Sequence, residues 1–299
     1  MNNQRKICPI CRSKKYTTTY RSTTNLSNDL NIKIFSARRL PDKIHGTIVR
    51  CKRCGLVRSL EIIGQTKLSE LYAKSKFTYN NITDNLESSY IKIIKNATIG
   101  LDRKKIKILE VGCGNGFLLA KAKEVGYKNV SGIEPSRDAI SRSPKTIRKN
   151  IVLGMLNEGS FPPKSFDIIC AFQVFDHIPD PNVFLKTCHS FLKPGGKIVL
   201  MNHDVESWSA RFLGERSPIF DIEHTYLYSP KTIKKILINN SFKIQKIYSP
   251  PAYMTLKYIL RLLPIPQLIK KKLINLNLKF LETNVKLYPG NVCAIAIKK

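Results

Sequence analysis

Residues 106 to 117 read Ile106-Lys107-Ile108-Leu109-Glu110-Val111-Gly112-Cys113-Gly114-Asn115-Gly116-Phe117, an apolar run that breaks into glycine at every second position. The run 106–111 has the β-branched, apolar composition of a buried strand. The glycines close it in a tight turn, and Phe117-Leu118-Leu119-Ala120-Lys121 starts a helix. Glycine has no Cβ and tolerates φ > 0, so such a turn brings bare backbone N–H groups and a helix N-terminus against a ligand. The spacing is Gly-x-Gly-x-Gly, not the Gly-x-Gly-x-x-Gly of a pyrophosphate-binding turn.

The neighbouring residues decide what such a turn holds. Lys128-Asn129-Val130-Ser131-Gly132-Ile133-Glu134 reads as a second strand ending in a carboxylate, roughly twenty residues beyond the glycines, where a ribose diol would lie. A carboxylate accepts hydrogen bonds from both ribose hydroxyls and repels a phosphate. Spacing and acid together point away from NAD and towards S-adenosylmethionine. A third strand, Asn150-Ile151-Val152-Leu153-Gly154, is followed by Met155 and Leu156, apolar walls for an adenine. The fourth, Phe166-Asp167-Ile168-Ile169-Cys170-Ala171-Phe172, is apolar almost throughout, as a strand buried on both faces should be. It runs into Gln173-Val174-Phe175-Asp176-His177-Ile178-Pro179-Asp180. A helix over 181–192, a Lys193-Pro194-Gly195-Gly196 turn and a fifth strand over 197–201 follow.

With LEVGCGNG, FDIICAFQVFDHIPDP, FLKPGGKIVL and a later EHTYLYSP in this order, the chain resembles the class I S-adenosylmethionine-dependent methyltransferases over residues 101–250 and 288–299. The resemblance implies an α/β, Rossmann-like, seven-stranded sheet, mostly parallel, with 241–248 as strand six and 292–297 as an antiparallel last strand. It places Glu110, Gly112, Gly114 and Asn115 at the methionine end of the donor and Glu134 at its ribose. Gly116, Met155, Leu156 and Gln173 complete the expected donor contacts. Two departures are visible: Asp176-His177 stands where relatives carry Glu-His, and Met155-Leu156-Asn157 lacks the acid that often meets the adenine N6. The competing reading is an α/β domain that kept the turn and binds another nucleotide or nothing.

Eight cysteines are present, four of them in two knuckles, Cys8-Pro9-Ile10-Cys11 and Cys51-Lys52-Arg53-Cys54. Two Cys-x-x-Cys turns can close a tetrahedral, structural zinc site. Disulfides are the alternative, and a cytosolic chain argues against them. The other four, Cys113, Cys170, Cys188 and Cys293, read as core fillers. The region 1–60 resembles the zinc-ribbon leader that precedes methyltransferase domains in bacterial and archaeal proteins, many encoded with sugar or surface-polysaccharide enzymes. The expected organisation is a ribbon over 1–60, linking helices over 61–100 that cap the donor pocket, and a methyltransferase domain over 101–299 with a helical insert at about 251–288. Tyr79 and Tyr90 are candidates for the donor carboxylate, or simply packing residues.

Fifty-one Lys and Arg against 21 Asp and Glu give a formal charge of +30 over 299 residues. That charge suits an anionic partner, but the lysines are scattered among Ile and Asn, which an A/T-rich coding bias also produces. The polar start lacks a signal region, and no uncharged apolar run approaches the ~20 residues of a membrane span; a cytoplasmic protein is expected. The basic, apolar stretch 252–282 is read either as a flap on the core or as an element approaching an anionic membrane surface.

Methyl transfer from a sulfonium to a hydroxyl or an acidic C–H needs a general base. His177, His224 and His203 all follow strands at the carboxyl edge of the sheet, where ligands of open α/β sheets bind. Three functional classes stay open. The first is O- or C-methylation of a small molecule, sugar or surface-glycan acceptor. The second is RNA methylation, although Gln173-Val174-Phe175-Asp176 replaces the Asn/Asp-Pro-Pro-aromatic motif of amino-nitrogen enzymes; nucleic acid is an unexpected partner on that ground. The third is a scaffold that binds the donor without catalysis.

Overall fold

The computed structural model describes residues 7–24, 44–74, 83–262, 278–288 and 290–299. Three leader strands come first, β1 (Tyr16–Tyr20), β2 (Ile48–Cys51) and β3 (Val57–Ser59). The helices Gln65–Lys74 and Thr83–Ala97 follow. The strands of the main domain are then β4 (Lys107–Val111), β5 (Asn129–Glu134), β6 (Ile151–Leu153), β7 (Phe166–Phe172) and β8 (Leu192–His203). After β9 (Tyr226–Leu227) come β10 (Phe242–Tyr248), β11 (Ala252–Thr255), β12 (Asn284–Leu287) and β13 (Asn291–Lys298).

Seven strands form one sheet in the order β10-β13-β8-β7-β4-β5-β6. β4 pairs in parallel with β5 on one side and β7 on the other, so the order reverses at the strand that carries the glycine turn. Crevices at such switch points are where open α/β sheets bind ligands. β13 runs antiparallel to both β8 and β10. The expected Rossmann-like sheet with a reversed last strand is therefore present.

Alternation along the strands explains why both faces are covered. Leu109, Val111, Ile169, Ala171, Ile198 and Leu200 belong to one buried cluster with Leu185 and Cys188 of the helix Pro181–Phe191. Ile108, Ile168, Cys170 and Val199 face the other way, onto Ile94 and Leu119 of the helices Thr83–Ala97 and Phe117–Glu124. Cys113, Cys170, Cys188 and Cys293 are all buried, and burial pushes the Cys170 thiol well above its usual range. Tyr90 is buried and stacked on Phe172 at 4.5 Å, a packing role; Tyr79 lies outside the described residues.

Three details differ from the sequence reading. The Lys193-Pro194-Gly195-Gly196 turn is absorbed into the irregular start of β8, where Phe166 pairs with Leu192 but Ile168 with Lys197. The insert is not wholly helical: besides the helix Leu256–Leu262 it holds the antiparallel pair β11–β12, because Asn284-Val285-Lys286-Leu287 alternates at a strand period. Residues 263–277 of the stretch 252–282 lie outside the described residues. Finally, the leader sheet has the order β1-β2-β3-β9, so its fourth strand comes from Tyr226–Leu227, far along the chain.

Candidate active site

The glycine turn, the ends of β5, β6 and β7, and the helix Gln65–Lys74 enclose a single cleft. Gly112 has φ +69, and a Cβ there would stand 2.5 Å from a methyl of Val174; only glycine lets the turn sit this close to the end of β7. Gly112, Gly114, Glu134, Met155, Leu156 and Gln173 all line the cleft. The Glu134 carboxylate accepts the Gly114 and Ser136 N–H groups, each at 2.9 Å. Burial raises its pKa, and those two N–H groups oppose the shift. Gln173 has φ +56, donates its N–H to the Met201 carbonyl at 2.7 Å, and holds Asn291 Oδ1 at 3.1 Å through Nε2.

Other expected donor residues sit behind this surface. Glu110 is 3% exposed, and its Oε2 has no hydrogen-bond partner among the described residues. Burial, and then the Glu134 charge, hold its carboxyl well above the usual range. Asn115 does not line the cleft; its Oδ1 accepts the Phe117 N–H at 3.3 Å, a local contact within the turn. Gly116 does not line it either, and a Cβ there would meet Ile147 at 2.8 Å, so this glycine answers to packing.

The opposite wall carries the titratable side chains. Asp176 is 1% exposed, and neither carboxylate oxygen has a hydrogen-bond partner among the described residues. Its Oδ1 lies 3.7 Å from His177 Nε2 and its Oδ2 lies 3.9 Å from His224 Nε2. His177 lines the cleft, and its Nδ1 is 2.9 Å from the Tyr72 hydroxyl. His224 meets His177 edge-on at 4.9 Å and His203 at 5.2 Å. Burial depresses the His224 pKa to about 3; Asp176 opposes this, and the other two imidazoles add to it. Neither His224 nor His203 lines the cleft. The ligand atoms of Asp176, His177 and His224 all lie within 4.8 Å of one another, a set that could also hold a divalent ion.

Three features of this wall escape a reading by motif. Asp176 registers in sequence only as a departure from Glu, yet it is the centre of the cluster. Gln65, Leu68 and Tyr72 enter the cleft from the helix before the main domain, anchored where Leu68 and Leu71 pack on Ile222. Glu223 also reaches the cleft. The signal that finds them is the helix period of 65–74 next to the Glu223-His224-Thr225 motif. The backbone ties the two together: Thr225 N–H donates to the Asp176 carbonyl at 2.9 Å, and Ser59 N–H donates to the Thr225 carbonyl at 3.0 Å.

In the leader, Cys8 and Cys54 Sγ are 3.4 Å apart, and Cys11 and Cys51 Sγ are 3.5 Å apart. All four Sγ atoms lie within 4.8 Å of one another, and none forms a disulfide. A zinc tetrathiolate with bonds near 2.3 Å has edges of about 3.8 Å, so the donor set fits that ion with small adjustments. The Cys54 thiol, hydrogen-bonded to Cys8, draws the Cys8 pKa down to about 5.

A switch-point cleft with a glycine turn, a buried carboxylate at the end of the next strand and no phosphate-binding spacing has the form of a methyltransferase-type site. A model of the methyltransferase domain matches residues 84–247, more than half of the chain, and the chain belongs to this family, the class I S-adenosylmethionine-dependent methyltransferases. It is 33% identical over 150 residues to the ubiquinone biosynthesis O-methyltransferase of Idiomarina loihiensis, covering 46% of this chain and 56% of that protein. It is 32% identical over 149 residues to the tRNA U34 carboxymethyltransferase of Nautilia profundicola, covering 47% and 48%. The chain thus spans about half the length of these curated relatives. A S-adenosylmethionine-dependent methyltransferase structure from Archaeoglobus fulgidus covers 79% of this chain and 100% of its own, with TM-score 0.51 and 21% identity, and shows the shared fold. These relatives lend a sugar or glycan acceptor no support, and that expectation is set aside. No helix among the described residues is long and apolar enough to cross a membrane.

Proposed function

We propose that the protein transfers a methyl group from S-adenosylmethionine to a hydroxyl oxygen of a small-molecule acceptor, with His177 as general base. The observation that carries this reading is the placement of His177 in the same cleft as Gly112, Gly114 and Glu134, backed by the buried Asp176. A hydroxyl nucleophile needs such a base, and the relative from Idiomarina loihiensis is an O-methyltransferase by name.

The bound donor supplies a methyl carbon already activated by the sulfonium charge. The chain's residues do the rest. Glu134 accepts the ribose hydroxyls, and Met155 and Leu156 cover the adenine. The Tyr72 hydroxyl, 2.9 Å from His177 Nδ1, fixes the imidazole in the cleft, where the ring takes the acceptor proton. Asp176, close behind, stabilises the imidazolium that results. The helix Gln65–Lys74 closes the cleft against water, which favours alignment over hydrolysis. Cys8, Cys11, Cys51 and Cys54 would hold one structural zinc ion, which would brace the leader sheet that β9 joins.

The test is transfer of labelled methyl from the donor to a panel of phenols, catechols, other hydroxylated small molecules and RNA. Label on a small-molecule oxygen, lost in His177→Ala, is the expected result. Label on RNA alone, or donor binding with no transfer to any acceptor, would overturn the reading.

A further inference from the structure

We propose that the outward face of the helix Trp208–Leu213, with the adjoining end of β1, docks the protein on an anionic membrane surface. The helix has two unlike sides. Ala210 is buried with Val205, Ile219, Phe220 and the leader residues Ile48 and Val57, so the inner side is fully used in packing. On the outer side Trp208 is 71% exposed and Phe212 is 84% exposed. Four positions apart on a helix, the two rings share one face. They are the most exposed aromatic side chains among the described residues. A Trp and a Phe left in water together mark an interaction surface, and aromatic rings are the side chains that settle at the headgroup level of a bilayer.

Charge around the rings identifies the occupant. Arg21, Arg211 and Arg216 are exposed. Arg21 follows Tyr20, whose hydroxyl lies against Gly214 at the end of the same helix. The carboxylates nearby are engaged: Glu206 lies 3.9 Å from Arg50, and Glu215 lies 3.3 Å from His45. Further along β1 the knuckles add exposed Lys14, Lys15, Lys52 and Arg53, brought together where Lys52 N–H meets the Lys15 carbonyl at 3.0 Å. Residues 1–60 hold 14 Lys and Arg against two Asp and Glu. Arg21, Arg211 and Arg216 thus put three exposed cations at the helix that carries the two rings, with Lys14, Lys15, Lys52 and Arg53 at the far end of β1. Each cation near an anionic bilayer adds attraction within a Debye length. Single-stranded RNA also combines cations with stacking rings, but it is held along a groove; here the rings stand on an outward helix face and neither lines the cleft.

The docking helix starts five residues after His203, which packs against His224. Docking here therefore brings the catalytic wall near the lipid surface and suits an acceptor held in or at the bilayer. That last step rests on the proposed transfer reaction; the docking itself does not.

Trp208 is the chain's single tryptophan, so its emission reports this face alone. The experiment mixes the full chain with vesicles of phosphatidylcholine and phosphatidylglycerol, with pure phosphatidylcholine vesicles, or with single-stranded RNA. A blue shift with the anionic vesicles, quenched by brominated lipid, is expected. Phe212→Ser and the pair Arg21→Glu/Arg211→Glu should each weaken vesicle binding about tenfold or more while leaving donor binding intact. The pair Lys231→Glu/Lys234→Glu, exposed on the helix Pro230–Asn239, makes the same change in net charge and should have little effect. No emission change with anionic vesicles would overturn the proposal. So would a change with RNA alone, or an equal loss from the control pair. Because no acceptor is present, failure here leaves the transfer reaction untouched, and failure of transfer leaves this result standing.

Discussion

Glu134 takes the Gly114 N–H across 20 residues, within one β–α–β unit, whereas His177 meets Tyr72 across 105. The donor side of the cleft is built from backbone groups and one carboxylate on consecutive strands. The opposite wall gathers side chains from the linking helix, the end of β7 and the segment before β9, and the leader holds that segment in place through β3. The first arrangement is local and should survive damage to the leader. The second is long-range and should not.

Four perturbations sharpen that contrast. His177→Ala should lower turnover by about 10²–10⁴-fold with donor affinity unchanged, as steady-state rates and calorimetric titration would show; parallel losses of both would erase the distinction. Glu134→Ala should do the reverse, weakening donor binding by about a hundredfold through the loss of charged hydrogen bonds. Metal analysis should find about one zinc per chain, and chelation should depress transfer while calorimetry still records the donor bound. A metal-free chain with full transfer would contradict the leader's role. Tyr72→Phe should cost about fivefold in turnover and displace the acidic limb of the pH–rate profile, which a purely packing tyrosine would not do.

Acid stability separates the two sides as well. His224 stays neutral in the fold down to about pH 3, while in the unfolded chain it binds a proton near its ordinary pKa of about 6.5. The unfolded state therefore binds more protons between those values, and stability falls as pH drops through that window, by up to about 1.4 kcal/mol per pH unit. In His224→Gln, denaturant titrations across pH 4 to 7 should show that part of the slope removed.

The donor side was legible because its determinants are continuous in the chain. The Gly112-x-Gly114-x-Gly116 spacing, the acid at Glu134 and the apolar run 166–172 each carry their meaning within a few residues, and the sheet order follows from them. Even there, Asn115 and Gly116 could not be sorted from true lining residues, since closing a tight turn and touching a ligand select the same residue types. The other wall was legible only as a set of candidate histidines. Nothing local to Asp176 says that both its oxygens are buried between two imidazoles, and nothing in the helix 65–74 says that Tyr72 reaches His177. Those contacts depend on β9 joining the leader sheet, a pairing that two residues, Tyr226 and Leu227, are too short to announce. The exposed Trp208 and Phe212 were hidden for the opposite reason: an apolar residue in sequence is read as core until a structure shows it uncovered.

A crystal structure with S-adenosylhomocysteine bound tests the central claim most directly, because it places the sulfur relative to both walls. The ribose hydroxyls should lie on Glu134, the amino-acid end beside Gly112 and Gly114, and the sulfur should point towards the His177 ring. A product bound outside this cleft, or one whose sulfur points away from His177, would contradict that claim.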